Sequence, residues 1–243
     1  IADIKAGKID VLVTAPINKY NIQSADFKFP GHTEYLASAF DTKEVLMLLV
    51  SETMKVGVVT GHVPLSQVPS LITKEAILTK LRLLNKSMVE DFGIRRPRIA
   101  VMGLNPHAGD HGVIGLEERD IIIPALSQAN EEGIVAMGPY PSDGFFGSDS
   151  FTKFDAILAM YHDQGLAPFK VINFDTGVNF TAGLPIIRTS PDHGTAYDFA
   201  GTVEANPNSF RQALYLAVDL FKNRQYHKEL TANPLKTIDP DKI

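Results

Sequence analysis

The chain has 243 residues, 44% of them hydrophobic, with a formal net charge of −5 and no cysteine, so it can bury a sizeable core as one large domain or two modest ones. An acidic balance without a basic face excludes nucleic acid as a general partner, because phosphate backbones demand one. The absence of cysteine excludes disulfides and thiolate metal sites, leaves His, Asp, Glu or water for any metal, and makes a reducing cytoplasm the easier compartment.

The opening IADIKAGKIDVLVTAP carries neither the basic stretch nor the apolar stretch of a secretory leader. It runs quickly into a buried-strand pattern, which predicts entry in mid-domain with further residues upstream. Strand-type runs then alternate with helical patterns. IDVLVTA (9–15) is followed by a helix near Thr33 to Phe40, then by VLMLLVS (45–51) and KVGVVTG (55–61). The run VLMLLV falls far short of the ~20 apolar residues of a membrane span. Separated by only a few polar residues, these two strands read as an antiparallel pair. A long helix follows from about Thr73 to Phe92, with Ile77, Leu81, Leu84 and Met88 on one face. Next come RIAVMGL (98–104), a helix near Leu116 to Glu132, DAILAMY (155–161), VNFTAGL (178–184) and a helix from Asn208 to Asn223. This alternation predicts an α/β fold with a largely parallel sheet.

In open α/β sheets ligands sit outside the carboxyl ends of the strands. Four such ends share a character: TAPINK (14–19), TGHVPL (60–65), LNPHAGDHG (104–112) and YHDQG (161–165). Three present a histidine. If they converge, His62, His107 and His162 form a three-imidazole cluster, the ligand set of a catalytic divalent metal with an open position. Each histidine alone is as well read as structural or solvated.

His32 and Thr33 in FPGHTEYLA begin a helix, either as a plain N-terminal turn or as an anion site of backbone N–H groups and side chains. Lys170, Asn179 and Arg188 lie in a segment otherwise poor in charge, and two cations plus an amide suit a phosphate or carboxylate. Asp143 and Asp163 could orient an imidazole, act as a base or merely close a turn. His193 is a further ligand or a loop residue, His111 is ambiguous, and His227 falls in a polar tail read as exposed. Neither a P-loop nor a G-x-G-x-x-G fingerprint occurs. The spacing alone reaches a divalent-metal enzyme acting on a small anionic substrate.

Taken together and in order, VTAPINK, PGHTE, LNPHAG, AMYHDQG and GVNFTAGLPIIRTSPDHGTA closely resemble the 4-hydroxythreonine-4-phosphate dehydrogenase family of pyridoxal phosphate biosynthesis, from about Asp10 to Leu220. The resemblance implies a two-lobed fold similar to isocitrate and isopropylmalate dehydrogenases, with the active site in the interdomain cleft at a homodimer interface. Residues 1–20 and 171–243 would form the remainder of the first lobe, and 21–170 a second, dimer-forming lobe. The metal ligands would be His62, His107 and His162, with His162 completing a site begun by His62 and His107 of the partner subunit. Substrate contacts would be His32, Thr33, Lys170, Asn179 and Arg188, with Asp143 a further candidate near the reacting group.

The implied reaction is metal-dependent, NAD- or NADP-linked oxidation of 4-phosphooxy-L-threonine at C3, followed by loss of CO₂, with Zn, Mg, Co or Mn as the metal. A related group within the family acts on 4-phosphothreonate or 4-phosphoerythronate. A three-histidine metal hydrolase and a non-catalytic metal-binding chain are the other readings. Two departures stand out. Nothing matches the family's N-terminal GDPAGIGPE-like stretch, and the position of its second loop histidine is Val113, which leaves His111 without a role.

Overall fold

A computed structural model of the chain describes residues 1–24, 27–197, 200–202 and 206–235. In chain order the elements are α1 (Ala2–Lys5), β1 (Val11–Val13), α2 (His32–Ala39), β2 (Leu46–Val50), β3 (Lys55–Thr60), α3 (Val68–Leu71), α4 (Lys74–Glu90), β4 (Arg98–Met102), α5 (Ile123–Glu131), β5 (Val135–Tyr140), α6 (Ser142–Phe146), β6 (Ala156–Tyr161), α7 (His162–Asn173), β7 (Val178–Ala182), β8 (Ile187–Pro191) and α8 (Asn208–Thr231). The strands form a single sheet in the order β1-β8-β7-β2-β3-β6-β4-β5.

The α/β alternation and the β2–β3 hairpin follow the sequence pattern. β3, β6, β4 and β5 run parallel. The other half departs from a largely parallel sheet, because β7 pairs antiparallel with both β2 and β8. Strands β5 and β8 and the helix α7 were not among the expected elements. α8 runs on to Thr231, so His227 stands half-buried in a helix rather than in an exposed tail.

The period of two along each strand sends side chains to two cores. Leu46, Leu48, Ile99, Val101, Leu158 and Phe180 pack on one face under α4, α5 and α8. Leu49, Val56, Val58, Ala100, Met102, Ile157 and Ala159 face the other way, beneath Phe145 of α6 and Leu166 and Phe169 of α7. α4 is fixed at its start by Thr73, whose hydroxyl accepts from Ala76 N at 3.1 Å. α7 lies close on the sheet because Gly165 has no side chain: a Cβ there would stand 2.8 Å from Val56 and 3.0 Å from Ala159.

The second face is not apolar throughout. Met47 and Leu49 pair across β2 with Thr181 and Asn179, and Asn179 pairs with Ser190. Residues in register share a face, so the side that buries Leu166 and Phe169 further along carries Asn179, Thr181, Arg188 and Ser190 over β7 and β8.

Candidate active site

That polar patch floors a cavity of about 230 Å³. Its walls are the segment after β1 (Ala15, Pro16, Ile17, Lys19), the first turn of α2 (Gly31 to Glu34), and His62 beyond β3. Arg188 lies at its centre and is only 5% exposed. Its Nε and Nη2 donate to Thr14 Oγ1 at 3.0 and 2.7 Å, and Nη1 donates to Thr181 Oγ1 at 3.5 Å. Nη2 also stands 3.4 Å from His32 Nδ1. A guanidinium can only donate, so this contact assigns the lone pair to His32 Nδ1 and the proton to Nε2.

All these partners are neutral, and among the described residues no carboxylate pairs with Arg188. Burial pulls its pKa down to about 10, and the more distant Glu34 offsets only part of this. His32 is held below its ordinary value by burial and then by the charge of Arg188. Gly31 offers α2 no side-chain cap, so its first-turn amides open at the cavity. Asn179 adds a buried Oδ1 that has no hydrogen-bond donor among the described residues. An unpaired buried cation, uncapped helix amides and an orphaned acceptor are groups that an anion bearing its own donor would satisfy.

His62 and His162 stand beside the cavity with ring centroids 5.5 Å apart. The parallel pairing of β3 with β6, Thr60 against Tyr161, brings the two strand ends together. His162 opens α7, and its Nδ1 bonds Asp163 Oδ1 at 2.7 Å, which leaves Nε2 directed elsewhere. His62 is held below its ordinary pKa by partial burial, then by Lys19 and by His162, with Glu34 acting the other way. Two imidazoles suit a divalent metal, yet among the described residues no three such donors come together. The pair fits a metal as an incomplete ligand set. His62 and His162 of the same chain meet because β3 and β6 are neighbours in the sheet.

His107 is exposed on a turn after β4, and β6 separates β4 from β3. The turn is unusual: His107, Ala108, Gly109, Asp110, His111 and Gly112 all have positive φ. Left-handed backbone costs roughly 1–2 kcal/mol for each L-residue, so a strong clamp is needed. It is Glu118, 3% exposed, whose Oε1 accepts from Leu104 N and Asn105 N at 2.7 Å each and whose Oε2 accepts from Asn105 Nδ2 at 3.0 Å.

Of the residues expected to contact substrate, His32, Thr33, Asn179 and Arg188 line the cavity and Lys170 does not. Its Nζ is 3.3 Å from Asp192 Oδ1 and 3.2 Å from Asp192 O. Asp143 is exposed at the start of α6, beyond β5 at the far edge of the sheet. His193 lines the cavity. Thr14, Lys19 and Glu34 were not singled out, although all three lie inside the quoted motifs.

Fold and cavity together define an α/β protein with a cation-centred anion cleft beside a pair of imidazoles. The chain belongs to the PdxA family: the family model described as pyridoxal phosphate biosynthetic protein PdxA matches residues 1–217. It is 54% identical over 237 residues to the 4-hydroxythreonine-4-phosphate dehydrogenase of Bacteroides thetaiotaomicron, covering 97% of this chain and 65% of that protein. A crystal structure of 4-hydroxythreonine-4-phosphate dehydrogenase from Klebsiella pneumoniae superposes with a TM-score of 0.80 at 38% identity, covering 90% of this chain and 67% of that one. Isocitrate dehydrogenase from Methylococcus capsulatus shares the fold, with a TM-score of 0.57 at 11% identity over 95% of this chain and 73% of that one. The chain thus spans about two thirds of the length of these relatives. Among the described residues no helix is long and apolar enough to cross a membrane.

Proposed function

We propose that this chain carries the substrate and metal site of a cytoplasmic, homodimeric dehydrogenase. The reaction is NAD- or NADP-linked oxidation of 4-phosphooxy-L-threonine at C3, followed by decarboxylation to 3-amino-2-oxopropyl phosphate, in pyridoxine 5'-phosphate biosynthesis. Residues 1–20 and 171–243 belong to one lobe and residues 21–170 to a second lobe that forms the dimer. The observation that carries the reading is Arg188, a cation buried among hydroxyls with no counter-ion among the described residues, which a phosphorylated substrate would supply.

Arg188, the proton on His32 Nε2, the Thr33 hydroxyl and the first-turn amides of α2 hold the phosphate. Asn179 Oδ1 accepts from a substrate donor and fixes its orientation. His62 and His162, joined by His107 of the partner subunit, would hold a divalent cation (Zn, Mg, Co or Mn), and Asp163 keeps the His162 ring turned with Nε2 outward. When bound, that cation supplies Lewis acidity at the C3 hydroxyl. Asp143 stands as a candidate contributed across the dimer, and Lys170 reaches substrate only by leaving Asp192.

The test is nicotinamide absorbance with 4-phosphooxy-L-threonine, NAD⁺ and each metal in turn. Metal-dependent reduction supports the assignment. Phosphate release without nicotinamide turnover would instead mark a three-histidine hydrolase, and turnover of 4-phosphothreonate alone would place the chain in sugar-acid catabolism.

A further inference from the structure

The cavity is built for anions, yet it holds one carboxylate. Among its described lining residues Arg188, Lys19, His32, His62 and His193 are cationic or can become so, and Glu34 alone is acidic. Glu34 stands one turn into α2, solvent-exposed, and among the described residues its side chain has neither a hydrogen-bond donor nor an ion-pair partner. Its Oε2 would lie 3.4 Å from a Cβ placed on Gly31, so it folds back over the helix start instead of pointing away from the cavity. A free carboxylate beside the anion site weakens the binding of any purely anionic ligand.

We infer that Glu34 and the orphaned Asn179 Oδ1 form an ammonium subsite that selects an amino acid phosphate over a hydroxy acid phosphate. The inference rests on the phosphorylated-substrate reading above. Both acceptors face the same cavity, and among the described residues neither has a donor. 4-Phosphooxy-L-threonine carries an ammonium at C2, with three donors and a positive charge, whereas 4-phosphothreonate carries a hydroxyl there with a single donor. The ammonium can serve both acceptors and offset the Glu34 charge. The hydroxyl can serve Asn179 but leaves the Glu34 carboxylate facing an all-anionic ligand.

The two ligands should respond to loss of the charge in opposite directions. In Glu34→Gln the amino acid loses a charge-assisted hydrogen bond, and its affinity should fall roughly ten- to a hundredfold. The hydroxy acid loses a repulsion and should bind as well or more tightly. A side chain exposed and unbonded in the empty protein can be changed without disturbing the fold.

Calorimetric titration of wild-type chain and Glu34→Gln with each ligand measures this directly, and needs neither nicotinamide nor metal. A collapse of the amino-to-hydroxy affinity ratio supports the subsite. Binding of both ligands with an unchanged ratio, or an equal loss for both, overturns it. If the wild-type chain binds neither ligand, the phosphorylated-substrate reading fails and the subsite with it, a result distinct from an unchanged ratio.

Discussion

Replacing Arg188 by methionine should stabilise the empty protein while it destroys anion binding. The guanidinium is 5% exposed, and burial lowers its pKa from its ordinary value to about 10. A cation whose folded pKa is depressed is disfavoured in the folded state wherever it is charged in both states. Here that covers neutral pH, and the penalty is relieved only as pH rises from about 10 towards the ordinary guanidinium value. At about 1.4 kcal/mol per unit the penalty is on the order of 3 kcal/mol. Methionine fills similar space without charge and forfeits the bonds to Thr14 and Thr181, of which the two short ones to Thr14 are worth about 1 kcal/mol each. The net gain is about 1 kcal/mol, which in a chain of this size raises the melting temperature by about 2–4 °C. Affinity for a phosphorylated ligand should drop roughly thirtyfold or more. Thermal melting in anion-free buffer, with and without 4-phosphooxy-L-threonine, reads both effects: the variant melts higher alone and lower with ligand. A variant that melts several degrees lower in anion-free buffer would show that the guanidinium is a structural cation satisfied by its hydroxyls, and would remove the main support for the anion site.

Gly109→Ala adds a Cβ 2.6 Å from Glu118 Oε2 at a φ of +78° and should cost about 2–4 kcal/mol by chemical denaturation, backbone strain and a displaced acceptor together. Gly133→Ala, with φ +84° and open space around it, should cost only about 1 kcal/mol; equal losses would contradict the Glu118 clamp. Because the folded pKa of His32 lies below the ordinary 6.5, the unfolded chain binds a proton first. Ligand-free stability should therefore be full above pH 6.5 and decline as pH falls below it, and His32→Gln should flatten that slope in melting curves. His62 and His162 meet within one chain, so co-expressing His62→Ala with His162→Ala should restore no activity. His62→Ala with His107→Ala should restore about a quarter if a partner supplies His107, since random pairing makes about half the dimers mixed and each mixed dimer holds one intact site; recovery by the first pair would return His62 and His162 to different subunits.

Much of this was legible where a pattern repeats. The short polar spacer between VLMLLVS and KVGVVTG and the spacing of Ile77, Leu81, Leu84 and Met88 announce a hairpin and a buried helix face, and both formed. β8 was invisible because IRTSP reads as polar, although all five residues are buried. Its polar groups find partners remote in sequence, Thr14 for Arg188 and the Ala213 carbonyl for Thr189. α7 was hidden by Gly165 and Pro168. Each breaks a helical pattern locally, and the reason for the glycine, close approach to Val56 and Ala159, exists only in the packed structure.

The same limit governs the site. Arg188 stands out because it follows the apolar GLPII in a segment otherwise poor in charge, and it is the buried cation of the cleft. Lys170 looked equivalent and is paired with Asp192, a residue 22 positions away whose proximity no local pattern discloses. Glu118 offered no signal, since an acidic residue at a helix start is ordinarily solvated.

The strand ends are also tied to one another. Gln164, inside the AMYHDQG motif, accepts from Met160 N at 2.6 Å and donates to Gly103 O at 2.6 Å. It therefore joins the end of β6, where His162 begins α7, to the end of β4, where the turn carrying His107 begins. Glu118 fixes that turn two residues further on. A left-handed run whose strain amounts to several kcal/mol survives only if its surroundings over-determine it, and Gln164 and Glu118 grip its entrance from opposite sides. The outcome is a turn whose backbone is fixed at its entrance and which leaves His107 exposed, the arrangement that the proposed contribution of His107 to a partner's site requires.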